Sequence, residues 1–190
     1  MAQQILNLVL DTVTYLYLFV ILLRFILQVS RADFYNPISQ FVVKATNPVV
    51  IPLRRLIPGF GGIDIATIVF AFLFQLVMLS LKFLVLAGGL PQVGSLIALT
   101  VILVLGMVLK LYFFALLIMI ISSWIAPGSA NPALALINQI CEPVMAPFRK
   151  LLPSMGGLDL SPILVFLVLQ VLGIVLNGLS QQFGMSFSLL

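Results

Sequence analysis

Two pairs of neighbouring cations, Arg54–Arg55 and Arg149–Lys150, are the residues of this sequence whose type and spacing point most directly to chemistry. Arginine and lysine bind carboxylates and phosphates, and each cation held at an anionic lipid surface contributes about 1 kcal/mol of binding free energy. The four cations therefore predict binding to lipid or to a protein partner. Two alternatives remain: the cations only set the orientation in a membrane, or they form a specific anion site.

The sequence contains no recognisable catalytic set. Its 190 residues include no histidine and one cysteine, which excludes imidazole catalysis and an intramolecular disulfide. The five carboxylates are too far apart along the chain to form a local acid pair, and no phosphate-binding glycine loop or nucleophile elbow occurs. We therefore predict no enzyme activity, no cofactor and no metal site. Cys141 is expected to be a small apolar residue, with lipid attachment as the alternative.

The composition indicates an integral membrane protein. Of all residues, 63% are hydrophobic and 7% are charged, with a mean hydropathy of +1.29, whereas soluble domains are about 25% charged. A helix needs about 20 apolar residues to cross a bilayer. Four stretches are long enough, at about 5–29, 64–87, 95–125 and 160–180. We predict an all-α fold with four transmembrane helices.

The charges between these spans predict an orientation. Segment 30–63 carries four cations against Asp33, and segment 126–158 carries two against Glu142. The N-terminal residues before the first span, the link 88–94 and the tail from Ser180 carry no charged side chain. Because cytoplasmic loops are enriched in Lys and Arg, we expect both basic segments in the cytoplasm and both termini outside.

The chain repeats itself at an offset of 95 residues. Between 47–64 and 142–159, nine of 18 positions are identical without a gap. Most are Pro, Gly, Arg and Asp, whereas chance similarity of apolar segments would favour Leu and Val. We predict two parallel repeats, 1–95 and 96–190, related by an axis along the membrane normal, because each holds two spans. The repeated motif residues are Pro48, Pro52, Pro58, Gly61, Gly62 and Asp64, then Pro143, Pro147, Pro153, Gly156, Gly157 and Asp159.

Each basic segment predicts a proline-broken amphipathic helix at the membrane interface. Asn36–Pro37 is typical of a helix start, and an apolar stripe follows over residues 38–45. Pro52 lacks an N–H donor, so we expect a break or kink there. Asp64 and Asp159 are expected to cap the following spans, with a salt bridge to the arginine pair as the alternative.

Five polar side chains inside the predicted spans are candidate functional residues. Asp11 and Lys82 lie at similar depth, which favours a buried ion pair over extension of each to the surface. Lys110 lies near the middle of the third span, where it could line an ion path or meet a carboxylate of the other repeat; alternatively the span starts later and Lys110 reaches the surface. Gln75 and Gln170 occupy equivalent positions, which suggests a hydrogen bond between helices or a pore lining.

The repeated motif resembles that of the YggT family of bacterial and plastid membrane proteins. It reads NPVVIPLRRLIPGFGGID in the first repeat and EPVMAPFRKLLPSMGGLD in the second, and the resemblance covers nearly the whole chain. The second repeat departs from the first with Lys150 in place of Arg55 and Glu142 in place of Asn47. The resemblance implies a multi-pass protein of the bacterial inner membrane with a role in the envelope, osmotic stress or ion homeostasis, and it implies no catalytic residues.

Two functions remain open at this point. One is a non-catalytic scaffold or assembly factor that engages anionic phospholipids and membrane partners through its basic segments. The other is a small ion channel or channel subunit that uses Lys110, Gln75 and Gln170. The expected partners are the bilayer, anionic phospholipids, membrane proteins and a second copy of the chain, with no nucleic acid.

Overall fold

The chain folds into helices throughout the part that the structure describes. This computed structural model describes residues 1–151, 159–185, 187 and 189. In those residues the helices are α1 (Ala2–Val29), α2 (Pro37–Leu56), α3 (Ile65–Ala87), α4 (Val93–Ile125), α5 (Pro132–Leu151) and α6 (Ser161–Gln181). The predicted all-α class is confirmed.

Four of these helices are long and apolar enough to cross a membrane: α1, α3, α4 and α6. Each predicted span agrees with its helix to within three residues at either end. Large apolar side chains remain exposed along all four, including Leu16, Val77, Leu105 and Ile174, as expected where lipid replaces water. With 33 residues, α4 exceeds the length of one crossing and must tilt or extend beyond the hydrocarbon core.

Left-handed backbone positions follow α1 and α3 and form the turn that precedes α3. Gly88 ends α3 with φ 73°, and Gly61 and Gly62 have φ 60° and 81° in the turn between Phe60 and Ile63. Glycine adopts these angles without a Cβ clash. Arg31 ends α1 in the same region, with φ 50°, where glycine is the usual residue.

Of the break or kink predicted at Pro52, the break is wrong, because α2 is a continuous helix with two internal prolines, as is α5. Pro48 and Pro52 are four residues apart, so the missing N–H groups lie on one face of α2. Side chains of α1 supply donors nearby: the Tyr17 hydroxyl donates to the Ala45 carbonyl at 3.3 Å, and Arg24 donates to the Val43 carbonyl at 3.4 Å. These two contacts hold α2 against α1 beside its first internal proline.

The amphipathic character of α2 is confirmed, but its protein-facing side differs from the predicted stripe. Ser39, Val42, Thr46 and Val50 are its buried residues, whereas Phe41, a member of that stripe, is 64% exposed. These four positions follow the 3.6-residue period of an α-helix and therefore lie on one face of α2. The exposed apolar residues of α2 are therefore available to lipid.

The helices pack as two groups that meet at α4. Helices α1, α2 and α3 contact one another, as do α4, α5 and α6, and α4 also contacts α1 and α3. At the start of the interfacial helices, Asn36 Nδ2 donates to the Pro132 carbonyl at 2.7 Å, and the Asp33 amide donates to Gln139 Oε1 at 2.8 Å. The N-terminal ends of α2 and α5 are thereby joined.

Candidate functional site

The first basic connector, residues 54–64, is fixed by an ion pair at its two ends. Arg54 donates to Asp64 Oδ2 from Nη2 at 2.5 Å and from Nε at 3.1 Å, and the Thr67 hydroxyl donates to the same oxygen at 2.5 Å. Asp64 is the N-cap residue of α3, although its side chain bonds no backbone N–H of that helix. The salt-bridge alternative is therefore confirmed for Asp64.

The environment of Asp64 keeps its carboxyl ionised. Burial acts to raise the pKa of Asp64, but the hydrogen bonds from Arg54 and Thr67 outweigh it and hold that pKa below its usual value of 3.8. The side chain of Asp64 is 2% exposed, whereas that of Arg54 is 45% exposed. One side of the Arg54 guanidinium is thus held by a buried carboxylate while another side reaches the surface.

The second basic connector, residues 149–159, uses two carboxylates where the first uses one. Arg149 Nη1 contacts Glu142 at 2.6 and 2.8 Å, and Arg149 Nε donates to Asp159 at 2.9 Å. Asp159 also accepts from the Ser161 amide at 2.9 Å. The pKa of Asp159 is lowered by Ser161, through its side chain foremost and then its amide, and by Arg149. Asp159 therefore combines the salt bridge with a hydrogen bond to the first amide of α6, although Leu160 is the N-cap residue of that helix. The motif residues Pro153, Gly156 and Gly157 lie outside the described residues.

The second cation of each pair is exposed. Arg55 and Lys150 both lie at the surface, and neither takes part in an ion pair within the described part of the chain. Beside Arg55, the apolar side chains of Leu56 and Phe60 are 79% and 82% exposed. Cations mixed with exposed apolar side chains at the end of an amphipathic helix are typical of a membrane-surface contact.

Arg24 is a buried cation on α1 that was not among the site residues predicted from the sequence. It is only 6% exposed on α1, and its Nη1 donates to Thr46 Oγ1 at 2.6 Å and to Asn47 Oδ1 at 2.9 Å. In the sequence, a single arginine within an apolar run indicates only an interruption of the span. The signal that could have identified Arg24 is its difference from the other repeat, because the equivalent residue 95 positions later is Met119.

Inside the helix bundle, Asp11 and Lys82 form the predicted ion pair. Lys82 Nζ lies 2.6 Å from Asp11 Oδ1 and joins α3 to α1. The two side chains are 27% and 34% exposed, so the pair is only partly shielded. A cavity of about 60 Å³ adjoins it, and its lining includes Gln75 and Lys110. We name Asp11, Gln75, Lys82 and Lys110 the intramembrane polar cluster.

Lys110 occupies the centre of α4. This helix runs from Val93 to Ile125. Lys110 Nζ lies 5.6 Å from the ring centroid of Tyr15 and 5.5 Å from that of Phe187. Aromatic faces attract cations at this range. Asp11 borders the same cavity but is bonded to Lys82, so within the described residues Lys110 rests against rings and not against a carboxylate.

The two glutamines at equivalent positions have different surroundings. Gln75 is buried at 5% exposure and lines the cavity, whereas Gln170 is exposed on α6. The expected hydrogen bond between them is therefore wrong. The difference follows from the packing, because α3 contacts both α1 and α4 while α6 contacts α4 and α5.

The described residues offer little nucleophilic or metal-binding chemistry. They contain no cluster of three or more His, Cys, Asp or Glu residues that could hold a metal ion. Cys141 is fully buried, and burial, with the neighbouring Glu142, raises the pKa of its thiol to about 12. A thiol that stays protonated at neutral pH is a poor nucleophile.

Comparison with known proteins shows the family. The family model described as CCB3/YggT matches twice, at residues 3–85 and 98–180. An uncharacterized protein of Pseudomonas aeruginosa is 54% identical over 93% of this chain and 91% of its own length, and the uncharacterized protein YggT of Escherichia coli K12 is 38% identical over 94% and 93%. The chloroplastic YlmG homolog protein 2 of Arabidopsis thaliana is 40% identical over 32% of this chain and 24% of its own length. No solved structure matches. The chain is therefore a membrane protein of the CCB3/YggT family, built from two tandem copies of the family unit.

Proposed function

We propose that this chain is a non-catalytic membrane scaffold whose basic connectors engage anionic phospholipids and membrane partners. The observation that carries the proposal is the repeated ion pair, Arg54 with Asp64 and Arg149 with Asp159. In both repeats one arginine forms an ion pair between the two ends of the connector. The adjacent cation, Arg55 or Lys150, is exposed. Setting the orientation of a membrane protein requires positive charge but not this fixed geometry.

Anionic lipid is the ligand class that this arrangement suits best. Each connector joins an amphipathic helix to the start of an apolar span, α3 or α6, which is the depth of lipid phosphates in a bilayer. The positive-inside pattern favours a position of both connectors at the cytoplasmic leaflet, whose surface is negatively charged. In a bacterium this is the inner membrane, where the scaffold would act in the envelope and under osmotic stress.

The proposal is tested by exchanging the exposed cations. The double variant Arg55→Gln with Lys150→Gln should lose about 2 kcal/mol of binding free energy for phosphatidylglycerol, since each cation contributes about 1 kcal/mol. Native mass spectrometry of protein released from micelles with equal phosphatidylglycerol and phosphatidylcholine counts the lipids retained. Arg55→Lys with Lys150→Arg is the matched control, because it keeps both charges and should keep retention.

Equal retention of both lipids by the unmodified chain would contradict the proposal. So would undiminished phosphatidylglycerol retention in the double Gln variant, once its orientation in the membrane has been shown to be unchanged. A protein partner is sought by crosslinking from position 55 or 150 in cells.

A second candidate function is ion conduction as a small channel or channel subunit in ion homeostasis. The observation that favours it is the cavity beside Lys110, whose lining includes Gln75 and the Asp11–Lys82 pair. Charged groups within a membrane are expensive, and they often mark ion paths. Purified protein in liposomes should then carry potassium, sodium or chloride, and Lys110→Leu should abolish the flux. Flux no greater than that of empty liposomes would remove this candidate.

A further inference from the structure

We propose that a pocket in the first repeat binds a phosphate group, in addition to the surface contacts of Arg55 and Lys150. The inference rests on the proposed function, because it names a specific phosphate site beside the first of the two basic connectors. The pocket has a volume of about 530 Å³ and lies between the C-terminal end of α1, the following turn and α2. This volume is in the range of small-ligand sites.

The pocket concentrates positive charge. Arg24, Arg31 and Arg54 all line it, and its described lining includes no carboxylate. Asp64 binds Arg54 from outside this lining and offsets one of the three charges. A surplus of positive charge therefore remains, and arginine forks match the geometry of phosphate oxygens.

Arg24 has donors left over for a ligand. Its contacts within the described part of the chain all use Nη1, to the Val43 carbonyl, Thr46 Oγ1 and Asn47 Oδ1. These acceptors are neutral, so they orient the guanidinium without cancelling its charge. A cation at 6% exposure is costly to bury without a counter-charge, and a bound phosphate would supply one to Nε and Nη2.

Ser39 provides an independent indication of a missing ligand. Its side chain lines the same pocket and is only 3% exposed. Its hydroxyl has no hydrogen-bond partner among the described residues, although buried hydroxyls are nearly always paired. A phosphate oxygen in the pocket would accept the hydrogen bond that Ser39 cannot make within the protein.

The second repeat has lost this chemistry. At an offset of 95 residues, Arg24, Arg31 and Ser39 correspond to Met119, Ala126 and Leu134. Asn47 corresponds to Glu142, whose carboxylate binds Arg149, the counterpart of Arg54. The fold is repeated but the excess cations and the unpaired hydroxyl are not, so these residues are not required merely to build the repeat. The geometry assigns the phosphate site to the first repeat alone.

The test measures phosphate binding to the full chain in detergent by calorimetry. The probes are short-chain phosphatidylglycerol, short-chain phosphatidylcholine and inorganic phosphate. Arg31→Gln should weaken phosphatidylglycerol binding about tenfold, the effect of losing one charged hydrogen-bond donor. Ser39→Ala should weaken it about threefold without lowering the melting temperature of the unliganded protein, because no described hydrogen bond is lost. Lys44→Gln is the matched control: it removes the same charge from an exposed site on α2 outside the pocket lining.

The outcomes separate the ligand sources and the two proposals. Binding of phosphatidylglycerol without inorganic phosphate identifies a lipid headgroup, and binding of inorganic phosphate identifies a site for the free anion; both support the pocket. The pocket is overturned if neither phosphatidylglycerol nor inorganic phosphate binds, or if Lys44→Gln weakens binding as much as the pocket variants do. If Arg55→Gln with Lys150→Gln reduces phosphatidylglycerol retention while Arg31→Gln and Ser39→Ala do not, the pocket is wrong and the proposed function stands. If only the pocket variants act, the surface proposal fails.

Discussion

At the scale of single residues, the equivalent aspartates of the two repeats have different burial and different hydrogen-bond partners. Asp64 is buried and accepts from Arg54 and Thr67, whereas Asp159 is exposed and accepts from Arg149 and the Ser161 amide. The spacing of Asp and Arg in the sequence predicted both uses as alternatives. It could not assign them, because the choice depends on how deeply each connector packs.

The Asp64–Arg54 pair should stabilise the fold at neutral pH. Asp64→Asn is expected to lower the free energy of unfolding by about 2 kcal/mol, between the values for exposed and buried ion pairs. The pKa of Asp64 is lowered by folding, so this stabilisation is complete above the ordinary value of 3.8 and is lost as pH falls below it. Thermal unfolding of both proteins against pH measures the difference, and a gap that widens in acid would contradict this assignment.

The Asp11–Lys82 pair should appear as a coupling energy. Asp11→Asn leaves Lys82 without its partner, and Lys82→Gln leaves Asp11 without its partner. The double variant should therefore lose less unfolding free energy than the sum of the losses in the two single variants. We expect a coupling of about 1 kcal/mol for this partly exposed pair. Unfolding of the four proteins by SDS in mixed micelles gives the value, and strictly additive effects would show that the contact does not contribute to stability.

At the scale of helices, hydropathy and turn residues predicted the spans because both signals are local. The apolar runs and their limiting residues, such as Asp64 and Gly88, are readable without knowing the fold. The continuity of α2 was not readable. A rule about proline in an isolated helix does not include packing against a neighbouring helix, such as the contacts of Tyr17 and Arg24 with carbonyls of α2.

The turn after α3 gives a direct test of backbone conformation. Gly88 has φ 73°, whereas its neighbour Gly89 has no such angle, and a Cβ at either position would meet open space. Gly88→Ala should therefore destabilise the protein by about 1 kcal/mol through left-handed strain alone. Gly89→Ala is the matched control and should be close to neutral. Equal effects in SDS unfolding would show that strain at Gly88 is not the cause.

At the scale of the whole molecule, the duplication has produced two halves with one architecture and different polar chemistry. Gln75 is buried beside a cavity while Gln170 is exposed, and Arg24 has Met119 as its counterpart. The repeat predicted which positions correspond. It could not predict which would be buried, since α3 packs against α4 of the other half as well as against its own half, whereas α6 packs mainly within its own half.

The junction between the halves should depend on Asn36 more than on its counterpart. Asn36 caps α2 through the Ile38 amide and also donates to the Pro132 carbonyl in the other half, whereas Asn131 caps α5 through the Ala133 amide. Asn36→Ala should cost about 2 kcal/mol, for a cap and a hydrogen bond, and Asn131→Ala about 1 kcal/mol. Equal losses on SDS unfolding would show that the contact between the halves contributes nothing.

The central claim is that the basic connectors give this protein a preference for anionic lipid. The most direct measurement is electron spin resonance of spin-labelled phosphatidylglycerol and phosphatidylcholine at the surface of the unmodified protein in bilayers, at low and high salt. We predict stronger association of phosphatidylglycerol at low salt and a smaller difference at high salt, because exposed charges are screened. Equal association of the two lipids at low salt would contradict the account.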